Sequence, residues 1–246
     1  MPRSFSYSAL TLRVRQSGES NREAWFLTAG EGLVKATVFG GARSRLRSQV
    51  APYHEGRLIV YHNPVKDYRK VTDFEVQSWR PGIRELWERT AAAGALAETI
   101  LFSHGGGGNW PEALKLAGTV LDILSGASTG ACPRIIIYFL WHWIQILGIK
   151  PELSHCALCN KIQNEAFLWY SGRKEAIFCE KCRSEQGLTL RIGPGSRQWL
   201  ANIEKIPPEA LETYPVDALS LDQAKALSTA ILENALGKRL ATWDGI

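Results

Sequence analysis

The period of the apolar residues changes once along the chain, and the change falls at Pro81-Gly82. Before that dipeptide apolar side chains recur at every second position, as in a half-buried β-strand. After it they recur about every 3.6 residues, as in a helix with one face on a core. Leu10, Leu12 and Val14 alternate with Thr11, Arg13 and Arg15, which predicts a strand with one apolar and one basic face. Strand-like runs follow at 24–28, 33–39, 57–62 and 71–79, separated by turn residues such as Gly30-Glu31-Gly32 and Asn63-Pro64. Five short strands in the first third predict a small barrel or sandwich, with the five-stranded OB-fold one candidate. Beyond Pro81, residues 83–102, 111–124, 133–147, 194–203 and 220–240 read as helices, the last capped by Ser220. The 246 residues suffice for two domains. The expected class is α+β, with a β domain over 1–80 and a helical domain over 81–246.

A cysteine-bearing segment, 151–186, interrupts the helical half. Cys156-Ala157-Leu158-Cys159 and Cys179-Glu180-Lys181-Cys182 form C-x2-C-x19-C-x2-C, a spacing with which two tight turns present four thiolates to one tetrahedral zinc ion. The residues between, 166–170 and 175–178 around Ser171-Gly172-Arg173, fit a hairpin, so a zinc-ribbon-like module is expected. Four protein ligands leave no position for water, which makes the expected Zn2+ structural. A pair of redox dithiols is the alternative, but neither pair follows a strand in a βαβ pattern. His155 reads as a neighbour of the site, and Cys132, beside Pro133 at a helix start, as a small buried residue.

Charge is divided unevenly. Residues 1–80 carry 13 Lys and Arg against 7 Asp and Glu, whereas 81–246 carry 16 against 17. A basic first third favours an anionic partner, of which nucleic acid is the commonest. In Gly40-Gly41-Ala42-Arg43-Ser44-Arg45-Leu46-Arg47, the glycines allow close backbone approach. The three arginines at alternating positions would project a fork of guanidinium groups towards phosphates. Arg13, Arg15 and Lys35 lie on strands that could share this face; a solvated loop is the alternative. Trp25, Phe39, Tyr53, Tyr61, Tyr68 and Trp79 are interleaved with the basic residues. Most are expected in the barrel core, with one or two left exposed to stack bases.

Several classes are disfavoured. The longest apolar run, 135–147, is too short to cross a bilayer and contains His142 and Gln145. The first twenty residues hold Arg3, Arg13 and Arg15 and no apolar core of a secretory signal, so a cytoplasmic location is expected. No H-E-x-x-H occurs, and the run 105–108 of glycines is followed by Asn109-Trp110 where a phosphate loop needs Lys and Ser or Thr. The chain is therefore not expected to be an enzyme.

These residues together resemble the RecO family of bacterial DNA repair proteins along the whole chain. The resemblance is carried by four segments. They are Leu10-Thr11-Leu12-Arg13-Val14-Arg15 with Gly18-Glu19-Ser20; Phe26-Leu27-Thr28 through Gly40-Gly41-Ala42-Arg43; Leu147-Gly148-Ile149-Lys150-Pro151-Glu152-Leu153 leading into Cys156 and Cys159; and Ala235-Leu236-Gly237-Lys238-Arg239-Leu240. The third is the most specific. The resemblance implies an N-terminal OB-fold barrel followed by a helical domain with an inserted four-cysteine zinc module. It also implies a recombination mediator of the RecF-type pathway, nucleoid-associated, that binds single- and double-stranded DNA and anneals complementary strands. Its implied partners are RecR, single-strand-binding protein and, indirectly, RecA. The family's arginine-bearing segment maps onto Gly40, Gly41, Ala42 and Arg43, with Arg45 and Arg47 continuing it. Relatives without the cysteines imply a structural role for the metal. The rival reading is an adaptor whose basic barrel binds acidic protein tails.

Overall fold

Fourteen residues of continuous strand, Ser4–Ser17 (β1), let one segment pair on both sides. Residues 4–10 run antiparallel to β4 (Glu55–Asn63) and residues 9–17 antiparallel to β2 (Asn21–Thr28). β2 pairs with β3 (Gly32–Val38) and β4 with β5 (Tyr68–Ser78). A parallel contact of Thr37 with Lys70 joins β3 to β5 and closes a barrel of order β1-β2-β3-β5-β4, the OB-fold. Closure gives each of the five strands a neighbour on both sides, although β3 and β5 meet at that one pair alone. The computed structural model describes residues 4–40, 44–162, 167–184, 187 and 190–245.

Between Thr11 and Arg13 the β1–β2 register shifts. Thr11 opposes Phe26 and Arg13 opposes Trp25, so Leu12 is the extra residue of a β-bulge. The expected alternation therefore holds only past the bulge, where Arg13 and Arg15 are exposed and Val14 turns to the core. Before it, Thr11 is buried facing Phe26, while Leu10, opposite Leu27, is buried on the other side. That side is covered because β1 packs on both α2 (Trp87–Phe102) and α3 (Trp110–Gly126), and β2 packs on α3.

Inside the barrel Phe26 and Phe74 meet edge to face at 5.9 Å among Ala9, Ala24, Ala36, Val38, Leu58, Val60 and Val71. The short helix α1 (Arg45–Gln49) contributes Leu46, and Val50 follows it into the same core.

Arg80 ties the barrel to α3. Its side chain is 3% exposed; Nε donates to Asp122 Oδ1 (2.6 Å), Nη1 to Tyr53 O (2.9 Å), and Nη2 to Glu55 Oε2 (2.6 Å) and Gly118 O (3.2 Å). Both carboxylates and both carbonyls answer the planar fork of one guanidinium. Both α2 and α3 belong to the barrel's unit. The periodicity changes at the 3-10 turn Pro81–Arg84, whereas compactness divides the chain into Met1–Gly126 and Ala127–Ile246.

In the second unit α4 (Cys132–Ile146) is apolar nearly all round, and Ile135, Ile136, Phe139, Leu140, Trp141 and Trp143 are fully buried. It packs on α5 (Pro194–Ile203) and α6 (Ala218–Leu236). The cap of α6 is Asp217 rather than the expected Ser220: Asp217 Oδ1 accepts from the Ser220 amide at 2.9 Å, and Ser220 sits inside the first turn. The helix stops before 240 because Gly237 takes φ 61°, which ends it in the left-handed region. The hairpin of β6 (Leu168–Ser171) and β7 (Ala176–Cys179) forms as expected, and a third strand, β8 (Leu190–Ile192), pairs on the free edge of β6. Among the described residues no helix is long and apolar enough to cross a membrane.

Candidate metal centre and nucleic-acid interface

The first cysteine pair sits on a tight turn. Cys156 N donates to Lys161 O (3.1 Å) and Asn160 N to Cys156 O (2.9 Å), while His155 and Ile162 pair as an isolated bridge. The second pair leaves the end of β7, with Cys182 N donating to Cys179 O (3.0 Å), and Ala157 N reaches Ile177 O (2.8 Å) to hold the two turns together. All four sulfurs lie within 4.8 Å of one another, and Cys159 Sγ is 3.8 Å from Cys179 Sγ. A tetrahedron with zinc–sulfur bonds of about 2.3 Å has sulfur–sulfur edges of about 3.8 Å. The cage thus suits one soft cation and is too open for a disulfide, whose sulfurs stand about 2 Å apart.

The thiols are electrostatically unequal. Burial opposes ionisation of Cys156, but the backbone amides of Cys159, Cys179 and Leu158 point at its sulfur and bring its pKa down to about 6. Cys182 is pushed up to about 12 by sharing its proton with Cys179, then by burial and the other sulfurs. Cys156 thus gives up its proton more readily than Cys182, an inequality that follows from where the backbone amides point. The four cysteines can together hold one metal ion. His155 stays outside, its Nδ1 3.1 Å from Ser154 Oγ, and Cys132 is buried at the start of α4.

On the barrel, the register across β1, β2 and β3 gathers three of the expected cations. Trp25 opposes Arg13 on one side and Lys35 on the other, and Glu23 opposes Arg15. The Arg13 and Arg15 guanidinium carbons lie 5.8 and 5.0 Å from the Trp25 ring centre, and Lys35 Nζ lies 5.4 Å from it. Glu23 pairs with Arg15 (2.6 Å) and Lys35 (2.7 Å), and donation from Lys35 and then Arg15 holds its carboxyl below the usual range. Three cations against one carboxylate leave the face positive.

The arginine segment folds differently from the expected fork. Arg45 and Arg47 lie on α1, and on a helix positions two apart point to different sides. Arg45 is exposed, whereas Arg47 is half-buried and its carbonyl accepts from Arg22 Nη1 at 3.4 Å. Arg43 lies outside the described residues, as do Gly41 and Ala42. Arg22 was missed in the sequence. Burial and the nearby charge of Arg47 lower its pKa, which marks two cations crowded at one end of β2.

Of the aromatic expectation, the two exposed rings are found, but the placement of the others in the core is corrected. None of the six named rings is buried: Trp25, Tyr53, Tyr61 and Tyr68 are half-buried, and Phe39 and Trp79 are 43% and 49% exposed. Phe26 and Phe74, packed among alanines and valines, already fill the interior. Phe39, Tyr61, Tyr68, Asn63, Lys66 and Lys70 line an open cleft of about 590 Å³, with Lys70 Nζ 5.3 Å from the Tyr61 ring centre.

Two family models match the chain, Recombination protein O N terminal over residues 1–79 and Recombination protein O C terminal over residues 84–244. The DNA repair protein RecO of Moorella thermoacetica is 24% identical over 245 residues, spanning 98% of this chain and 89% of that protein. That of Anaeromyxobacter dehalogenans (strain 2CP-C) is 26% identical over 239 residues, spanning 95% and 92%. That of Dehalococcoides mccartyi is 27% identical over 192 residues, spanning 75% and 72%. The barrel falls within the first model's span and the four cysteines within the second's, and the chain belongs to the recombination protein O family.

Proposed function

We propose that this chain is a DNA-binding recombination mediator in repair, acting without chemistry on the DNA. The observation that carries the reading is the convergence of Arg13, Arg15 and Lys35 on the Trp25 ring, outside a closed barrel. Glu23 holds two of these cations in place, so little ordering of long side chains is needed when phosphates arrive. Such a face binds the backbone of single and double strands alike, with affinity that falls as salt rises. Arg22, Arg45 and Arg47 extend the basic surface at one end of the barrel, and Arg43 belongs to the adjoining segment. Exposed rings such as Phe39 offer unpaired bases a stacking surface.

Annealing follows from charge neutralisation, because two strands held on one cationic surface repel each other less and pairing can nucleate. Family membership supports RecR, single-strand-binding protein and RecA as the proteins it works with, within a cytoplasmic, nucleoid-associated pathway. The four-cysteine cage fits Zn2+, which when bound at Cys156, Cys159, Cys179 and Cys182 supplies a structural cross-link. The backbone amides around Cys156 and the thiolates themselves do the holding.

A salt titration of binding to a mixed-sequence single strand tests the reading. A linear fall of log affinity with log salt, equal for different sequences, is expected. An acidic peptide of the same charge that binds as tightly as the strand would instead favour the adaptor role.

A further inference from the structure

The three-stranded sheet of the cysteine module has two unlike faces. Leu168, Tyr170, Ile177 and Ile192 are buried on one of them. Trp169, in the central strand, is half-buried on the other, between buried Phe178 of β7 and exposed Arg191 of β8. Two arginines attend the rings there: the Arg183 guanidinium carbon lies 4.7 Å from the Trp169 ring centre, and that of Arg191 lies 3.6 Å from the ring centre of exposed Phe167. With Glu180 these residues line an open cleft of about 580 Å³. Glu180 is engaged by Arg183 at 2.8 Å, and among the described residues no carboxylate lies within ion-pair distance of Arg191. The cleft therefore combines flat aromatic surface with an excess of planar positive charge.

We propose that this cleft is a second nucleic-acid contact, specific for single strands. Unpaired bases stack against Trp169 and Phe167 and on the guanidinium planes, and phosphates are held by Arg191 and Arg183. Duplex DNA keeps its bases stacked inside and offers the cleft only phosphates. The inference rests on the proposed function for its ligand class alone, since none of the barrel residues takes part.

The test is binding of the full-length, metal-loaded protein to labelled oligothymidylate strands of about 6 nucleotides, within the site size of one OB-fold, and about 30, well beyond it. The variant is Trp169→Leu with Arg191→Gln. A long strand can engage two surfaces of one molecule at high effective concentration, whereas a short one engages one at a time. The expected result is about a tenfold loss of affinity for the long strand, within the range for one or two lost base stacks. The short strand and a duplex of the longer length should bind within about twofold of the unsubstituted protein. Zinc content should be unchanged, and Trp169→Phe should restore most of the loss. The idea is overturned if long-strand affinity does not move, if the duplex loses as much as the single strand, or if an acidic peptide of equal charge competes as well as the strand. A parallel variant, Arg13→Ala with Lys35→Ala, separates the two readings. Undiminished short-strand binding there removes the barrel site and leaves the Trp169 result standing by itself.

Discussion

A Cβ placed on Gly118 would lie 2.7 Å from Oε2 of Glu55, the same oxygen that accepts from Arg80. Helix α3 and strand β4 approach so closely that only a glycine leaves the carboxylate room to meet the guanidinium. Gly118→Ala should therefore push Glu55 off Arg80 and destabilise the first unit by about 1–3 kcal/mol. Arg80→Lys keeps the charge but loses the fork that serves two carboxylates and two carbonyls, and should cost about the same. Urea melts monitored on residues 1–126 decide it, and a Gly118→Ala protein as stable as its parent would refute the close-contact account.

His54 gives stability a pH dependence of definite sign. Its ring is buried, with Nδ1 2.8 Å from Gln49 O and the Trp79 ring 4.9 Å away. Burial lowers its pKa from 6.5, and the charges of Arg84 and Arg80 add to this against the Gln49 carbonyl. The folded protein thus takes up the proton less readily than the unfolded chain. Its stability is complete above the unfolded value and declines as pH falls below about 6.5, levelling off once the folded state is protonated too. Melting temperatures from pH 8 to 5 should show the decline in the parent and a shallower one in His54→Gln; equal slopes would exonerate this residue.

For the basic barrel face, Arg13→Ala with Lys35→Ala should weaken binding to every single-stranded sequence alike. It should also reduce the salt slope by about 1.4, near 0.7 for each lost phosphate contact. A loss confined to some sequences would point to base reading instead.

Removal of the metal should act on one half of the chain. Chelation, or Cys156→Ala, is expected to unfold the segment of β6, β7 and β8, because those short strands enclose little apolar volume without the cross-link. The barrel, closed by its own ladder and core, should keep its short-strand binding. Differential hydrogen exchange reads both halves at once, and protection lost evenly from both would contradict a local structural role.

The elements legible in the sequence were those whose signal is local. Two C-x2-C turns announce a cage because the ligands are three residues apart, and α4 declares itself by an unbroken apolar run. Less was visible where the outcome depends on which neighbour arrives. α1 and β8 are five and three residues long, too short to show a period. Asp217 and Ser220 are both good caps, and the choice fell to the one whose oxygen reaches the third amide of the helix. The meeting of Arg13, Arg15 and Lys35 over Trp25 required the register of three strands, which alternation within any one of them does not disclose.

The bulge at Leu12 makes the basic face a matter of parity. Ala9 and Thr11 face inward, and a ladder that counted Leu12 as an ordinary rung would set Arg13 opposite Ala24. Arg15 would follow it into the space held by Phe26 and Phe74. Because the ladder skips Leu12, both arginines stay outside. A chain shortened by Leu12 alone would keep them there, since the rung it loses was never counted. A chain lengthened by one residue between Arg13 and Arg15 would have the same net charge and the same arginines, yet would turn one of them towards the interior. What this face presents to solvent is thus decided by how the strand counts Leu12, an apolar residue that is itself buried.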